Sequence, residues 1–283
     1  MRHGFLLVDK PRGPTSHDVV AAVRRVLSER KIGHLGTLDP AASGLLVLAI
    51  GAKALRVVEF FMGLPKEYEA EVTFGAVSTT YDADGTIERI EPKPGWGVPS
   101  EEDVRRVIRD RFLGRIAQVP PAYSAVKVGG ERAYRKMRQG KSVQLPERSV
   151  QITVCDILTY VYPVLKLRVA CGAGTYIRSL AHDLGTELRC GGYLSALRRT
   201  RVGEWAVAGA LAPERVTWTD VTPLKEIMKP FPRLDLNDRE ALAVKQGRDI
   251  DGVLLSEVIG WYEGLPVAIL EPVMGGVHAR KVL

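Results

Sequence analysis

Residues 66–74 alternate cleanly. Tyr68, Ala70, Val72 and Phe74 point one way, and Glu67, Glu69, Glu71 and Thr73 the other. A period of two predicts a half-buried strand. Short apolar runs at 5–9, 45–50, 150–158 and 164–170 predict further strands. A helical period follows Ser16, a candidate cap, with Val19, Val20, Val23, Val26 and Leu27 on the apolar side. Helices are also predicted over 52–62, over 100–111 with Glu101 and Glu102 in its first turn, and over 175–189 after a Gly-rich turn. Asp82-Ala83-Asp84-Gly85 reads as a turn, and the Pro/Gly-rich stretch 92–99 as a loop. Residues 228–232 carry two prolines and predict a linker. The tail leans towards strand at 252–255 and 266–270 and is too small to be stable alone, so it should dock on the main body. Strands and helices mix without strict alternation, which predicts an α+β fold around a central, largely antiparallel sheet.

The 283 residues suffice for one large domain and a small one. No apolar run reaches membrane-spanning length, and Asp9 comes too early for a secretory leader, so the expected compartment is the cytoplasm. Cys155, Cys171 and Cys190 lack CxxC spacing, and the five histidines form no HxxxH, so neither a disulfide framework nor a metal is expected. GxGxxG and GxxxxGK[ST] are absent, so a nucleotide cofactor has no support. The net charge of +7 matters because it clusters. Residues 127–148 hold Lys127, Arg132, Arg135, Lys136, Arg138, Lys141 and Arg148 against Glu131 and Glu147, with Tyr123 and Tyr134 close by. Arg198, Arg199 and Arg201 form a second basic knot. Such clustering puts a polyanion partner level with a merely solvated basic face.

Residues 33–46, GHLGTLDPAASGLL, set the lone carboxylate of Asp39 among glycines, a proline and apolar residues. From residue types alone a helix cap with proline at the first helical position is favoured over a nucleophile. Gly44 argues against a long helix there. Tyr68 sits on the apolar face of its strand, as a core tyrosine or as a stacking surface for a planar base. Arg178 falls in the first turn of its predicted helix, where a cation opposes the helix dipole and should face an anion. Asp39 is a candidate partner that would keep the acid ionised; Asp183 and Glu187 are the surface alternatives.

Together, LLVDKPRGPTSHDVV, GHLGTLDPAASGLL, KEYEAEVTFG, QVPPAYSAVKVGGERAYRKMRQG, CGAGTYIRSLAHDLG and LRRTRVGEW resemble, in order, the TruB family of tRNA pseudouridine synthases. The resemblance covers most of residues 1–210. It implies a pseudouridine synthase fold over 1–229, with an RNA-clamping segment at 123–150, and a small β-rich PUA-like domain over 230–283. It implies that Asp39 is the catalytic aspartate, that Tyr68 packs on the target uracil and helps remove its C5 proton, and that Arg178 pairs with Asp39. His34 would stack where the flipped base leaves its loop, and Leu197 would line the pocket. Lys10 belongs to the DKP motif. Lys127, Arg132, Arg135, Lys136 and Arg138 would hold RNA. The implied reaction isomerises uridine to pseudouridine at position 55 in the T-loop of tRNA, by base flipping, aspartate-dependent glycosidic cleavage and rejoining through C5. It needs no cofactor or metal. The expected partner is the T-arm of tRNA, and a monomer is expected.

The long basic segment resembles the stand-alone bacterial branch. The alternatives are a guide-RNA-dependent subunit of a ribonucleoprotein and a non-catalytic RNA-binding or tRNA-folding protein on the same scaffold.

Overall fold

A computed structural model of the chain describes residues 3–91, 95–124, 126–140 and 143–283; the side chains of Lys127, Val128, Arg132 and Arg138, and all of Lys141, lie outside this description. Ten strands form one sheet. Its main path runs Thr222–Pro223, Gly4–Lys10, Ala42–Ile50, Gly192–Val202, Lys66–Phe74, Val164–Cys171, Arg148–Val161 and Gly114–Gln118. Ile32–His34 adds to Ala42–Ile50, and Trp205–Ala206 to Gly192–Val202. The sheet is antiparallel except where Ala42–Ile50 runs parallel to Gly192–Val202, with Leu197 opposite Ala42 and Arg199 opposite Gly44. This is the largely antiparallel mixed sheet expected from the sequence, and the parallel pair brings the 33–46 motif beside the second basic knot.

The alternation at 66–74 is realised: Tyr68, Ala70, Val72 and Phe74 are all buried. They join one apolar cluster with Leu165, Leu167 and Val169 of the next strand and with Ile177, Leu180 and Leu184 of the helix Ile177–Glu187. The helix Ser16–Leu27 covers another part of the sheet through Val19, Val20, Val23 and Leu27. Val26, expected on that apolar side, is instead exposed. Ser16 is not the cap either. Thr15 caps the helix in a reciprocal box with Asp18, which frees the Ser16 hydroxyl for another role.

Residues 52–62 form two short helices, Ala52–Arg56 and Glu59–Met62, rather than one. The tail carries a four-stranded sheet of Arg233–Asp235, Val258–Tyr262, Leu265–Val273 and Gly276–Val282. Residues 252–255 are not a strand, and Val253 and Leu255 are exposed. The expected linker at 228–232 is half core. Met228 is fully buried with Phe5, Leu45, Ile259, Trp261 and Ile269. Phe231 packs on Phe60 and Phe61. The tail therefore docks by extending the main core. Among the described residues no helix is long and apolar enough to cross a membrane.

Candidate active site

No helix follows Asp39. It lies in a loop that leads straight into the strand Ala42–Ile50, so the helix-cap reading fails. Proline after it removes an N–H and keeps the Asp39 backbone extended. Three buried side chains hold this loop by its backbone. Lys10, with no exposed surface, donates to the carbonyls of Ala42 (2.6 Å), Pro11 (3.0 Å) and Pro40 (3.3 Å). The Ser16 hydroxyl donates to the Leu38 carbonyl (2.8 Å) and accepts from the Leu38 N–H (2.9 Å). Arg199 donates to the carbonyls of Leu45 (2.7 Å), Gly36 (3.1 Å) and Thr37 (3.5 Å). Buried carbonyls need such donors, and here their placement fixes the carboxylate between them.

Gly44 sits where the loop enters its strand. Its φ is +101°, and a Cβ there would lie 2.3 Å from the Arg199 carbonyl oxygen. Glycine is required both for this backbone and for the close approach of the parallel strand.

Arg178 reaches the loop from the first turn of the helix Ile177–Glu187. Its Nη2 lies 3.1 Å from Asp39 Oδ2, and its Nη1 lies 3.3 Å from Asp82 Oδ2. It also donates to the carbonyls of Thr80 (3.2 Å) and Tyr123 (3.1 Å). The surface alternatives, Asp183 and Glu187, do not pair with it; Glu187 faces Arg111 instead. Asp82 is a member of the site hidden in the sequence as an ordinary turn residue. Its other oxygen accepts from the Thr80 hydroxyl and the Asp84 N–H. Tyr81, between these partners, has a left-handed φ of 64° and stacks on His182 with ring centroids 3.9 Å apart. The helix thus grips the 80–82 turn twice, one turn apart, through Arg178 and His182.

Sharing Arg178 with Asp82 changes the charge balance. Burial raises the Asp39 pKa, Arg178 lowers it, and Asp82 and Asp84 raise it again, so the net direction is upward. The expected stabilisation of the ionised acid by Arg178 is present but outweighed by desolvation. The Asp39 side chain nonetheless keeps 44 % of its surface open, whereas Arg178 keeps 8 %. The carboxylate is open at the surface and the guanidinium behind it is not.

Tyr68 lines the same apolar cluster as Leu38 and Ala42, with Leu197 packed against it. Burial raises the Tyr68 pKa, while the charge of Arg199, opposite it across the strands, lowers it. His34 is half-buried, meets His17 edge-on at 5.7 Å, and has its pKa lowered by burial and by the charge of His17 and Arg199. A carboxylate, a phenol and apolar side chains thus lie in one region of the fold, a chemistry that suits a flat, largely uncharged ring better than a phosphate.

The second basic knot is split: Arg201 is exposed, but its neighbours are not free surface charges. Arg199 is buried, and Arg198 makes a two-pronged ion pair with Asp9 at 2.8 and 3.0 Å. Strand alternation turned neighbouring arginines to opposite faces, which a count of charges could not show. The first basic segment is a hairpin, Lys127–Val128 with Glu131–Arg132, followed by the helix Ala133–Arg138. Arg135 is exposed and Lys136 half-exposed. The segment is tied to the site because the Tyr123 carbonyl at its base accepts from Arg178. Among the described residues no group of three or more His, Cys, Asp or Glu is placed to hold a metal ion.

Residues 24–177 match the family described as TruB family pseudouridylate synthase (N terminal domain), and residues 178–231 match the tRNA pseudouridylate synthase B C-terminal domain. The tRNA pseudouridine synthase B of Leifsonia xyli is 42% identical over 95% of this chain and 89% of its own. That of Heliobacterium modesticaldum is 40% identical over 92% and 85%. Among solved structures, a Cbf5-Nop10-Gar1 complex is similar over 99% of this chain and 84% of that one, with a TM-score of 0.70 and 27% identity. An H/ACA RNP bound to a substrate RNA containing 2'-deoxyuridine matches the same shares, with a TM-score of 0.69 and 25% identity.

Proposed function

The chain belongs to the TruB family of pseudouridylate synthases, and from that premise we propose how its residues isomerise uridine in tRNA. It is an RNA pseudouridine synthase, and its substrate is tRNA. The finer target is the uridine at position 55 in the T-loop, and the enzyme works in the cytoplasm without guide RNA.

The observation that carries this reading is the half-open Asp39 carboxylate, backed by a buried Arg178 and set against an apolar wall containing Tyr68 and Leu197. A uridine stacked in an RNA loop cannot reach Asp39, so it must be flipped out, at a cost of a few kcal/mol. Asp39 promotes cleavage of the N1–C1′ bond. The freed uracil turns against apolar side chains that offer no competing hydrogen bonds. It rejoins through C5, and Tyr68 receives the C5 proton. His34, at the rim, supports the loop from which the base has left. Arg135 and Lys136, with Lys127, Arg132 and Arg138 of the same segment, neutralise phosphates of the T-arm. Residues 1–229 form the catalytic unit and 230–283 a small accessory domain. Lys10 acts on the loop backbone rather than on the substrate.

An H/ACA RNP and a Cbf5-Nop10-Gar1 complex share the fold, so the fold alone does not exclude the guide-dependent alternative. The greater identity to the tRNA pseudouridine synthases B, and the basic segment tied to Arg178, favour independent action on tRNA. The test is tritium release from C5-labelled uridine in an unmodified tRNA transcript with pure protein. Release without guide RNA is expected; release only after guide RNA and partner proteins are added would overturn the reading.

A further inference from the structure

Arg199 is a buried cation with no carboxylate. Its side chain is 2 % exposed, and among the described residues none of its partners is an acid. Buried charges are ordinarily paired, because desolvation costs several kcal/mol per ion. Here the guanidinium spends its hydrogen bonds on three carbonyls of the 36–45 stretch, and its charge acts on the Tyr68 phenol across the strands. Three carbonyl dipoles stabilise the cation partially and leave its charge unneutralised. A group able to neutralise it is the Tyr68 phenol, whose residue is paired with Arg199 by strand register.

This geometry is built in from both sides. The parallel pairing of 42–44 with 197–199 places the Arg199 backbone against Gly44, where no side chain fits. The antiparallel pairing of the same strand places Arg199 across from Tyr68. One residue therefore joins both chemical halves of the site, bonded to the Asp39 loop and paired across the strands with the tyrosine.

We propose that Arg199 is a positioning residue with two actions: its fork fixes the loop carrying Asp39, and its unpaired charge stabilises Tyr68 as phenolate when the C5 proton leaves. The proposal rests on the reading of Tyr68 as the C5 proton acceptor. After uracil rejoins the sugar through C5, the C5–H bond breaks and its electron pair forms the C5–C6 double bond. The N1–C6 π pair moves onto N1, which takes a proton from solvent. The phenolate oxygen takes the C5 proton and becomes neutral phenol, which returns a proton to solvent before the next turnover. Arg199 forms a buried ion pair with the phenolate before transfer, which offsets the burial that otherwise opposes an ionised tyrosine.

The test places 3-fluorotyrosine at position 68 and follows its ionisation by fluorine NMR, alongside single-turnover pseudouridine formation. Arg199→Gln keeps a donor for the carbonyls and removes the charge. It should raise the ionisation midpoint by about 1–3 pH units, the effect of one nearby opposite charge, and move the rise of rate with pH that follows Tyr68 ionisation to higher pH with it. Arg199→Lys keeps the charge without the fork. It should leave the midpoint near the wild-type value and slow turnover at least tenfold through the loosened loop. An unchanged midpoint in Arg199→Gln overturns the charge role, and a wild-type rate in Arg199→Lys overturns the fork role. Should Arg199→Gln fail to fold, a Lys variant whose midpoint rises like that of a neutral residue sinks the charge role instead. Tyr68→Phe separates the two readings: normal turnover in that variant overturns the role of Tyr68 itself, whatever the NMR shows.

Discussion

Arg178 divides its guanidinium between two carboxylates, 3.1 Å from Asp39 and 3.3 Å from Asp82. The division is unequal in environment, since Asp82 is buried and the Asp39 side chain keeps 44 % of its surface open. Removing the arginine therefore harms the fold through Asp82 and the chemistry through Asp39. Arg178→Met should destabilise the protein by about 3–5 kcal/mol, the usual cost of stranding a buried charge, as read by urea unfolding. Asp39→Ala removes only the open partner, so it should keep tRNA affinity in filter binding and lose turnover. Near-normal turnover in Asp39→Ala would contradict the assignment.

The same sharing sets a pH dependence. The Asp39 pKa is raised, so the carboxylate is lost at a higher pH than for an ordinary aspartate. The acid limb of the single-turnover rate should accordingly lie above the usual aspartate range. Asp82→Asn removes a repelling charge and leaves Arg178 wholly to Asp39. Both changes favour the ionised form, so the acid limb should move to lower pH. A shift in the opposite direction would show that Asp82 does not compete for the arginine.

Lys10 and Gly44 hold the loop rather than the substrate. Lys10→Met takes a buried donor from the Ala42 carbonyl, at about 1–3 kcal/mol for a buried group left unsatisfied, while the Pro40 carbonyl keeps the Gly13 N–H at 2.8 Å. Gly44→Ala forces a side chain against the Arg199 backbone at a left-handed φ, and local strain of this kind costs of order 1–3 kcal/mol. Both variants should lower the urea midpoint and turnover while leaving the salt dependence of tRNA binding unchanged. A Lys10→Met protein as stable and active as wild type would remove the lysine from this role.

The basic segment should behave in the reverse manner. Replacing Arg135, Lys136 and Arg138 together by Ala should weaken tRNA binding and flatten the plot of log affinity against log salt. Each lost contact is worth roughly 0.7–0.9 in that slope. Stability should change little, because Arg135 is exposed and Lys136 half-exposed. An unchanged slope would identify the segment as a merely solvated face.

Periodicity revealed the strand Lys66–Phe74 and the helix Ser16–Leu27, because side-chain direction repeats with fixed local geometry. The ordered motifs likewise pointed to the family and to Asp39, Tyr68 and Arg178. Three features depended on contacts between distant segments. Asp82 reads as a turn residue until the helix Ile177–Glu187 brings Arg178 to it, 96 residues away in sequence. Arg199 reads as RNA-binding charge until strand pairing turns it inward beside Tyr68 while Arg198 turns outward to Asp9. Ser16 reads as a helix cap until Thr15 takes that place and the Ser16 hydroxyl grips Leu38. Local pattern reports which way a residue points within its own element. Which partner satisfies a buried charge or hydroxyl is settled only when the sheet closes, because those hydrogen bonds join segments that no local rule relates.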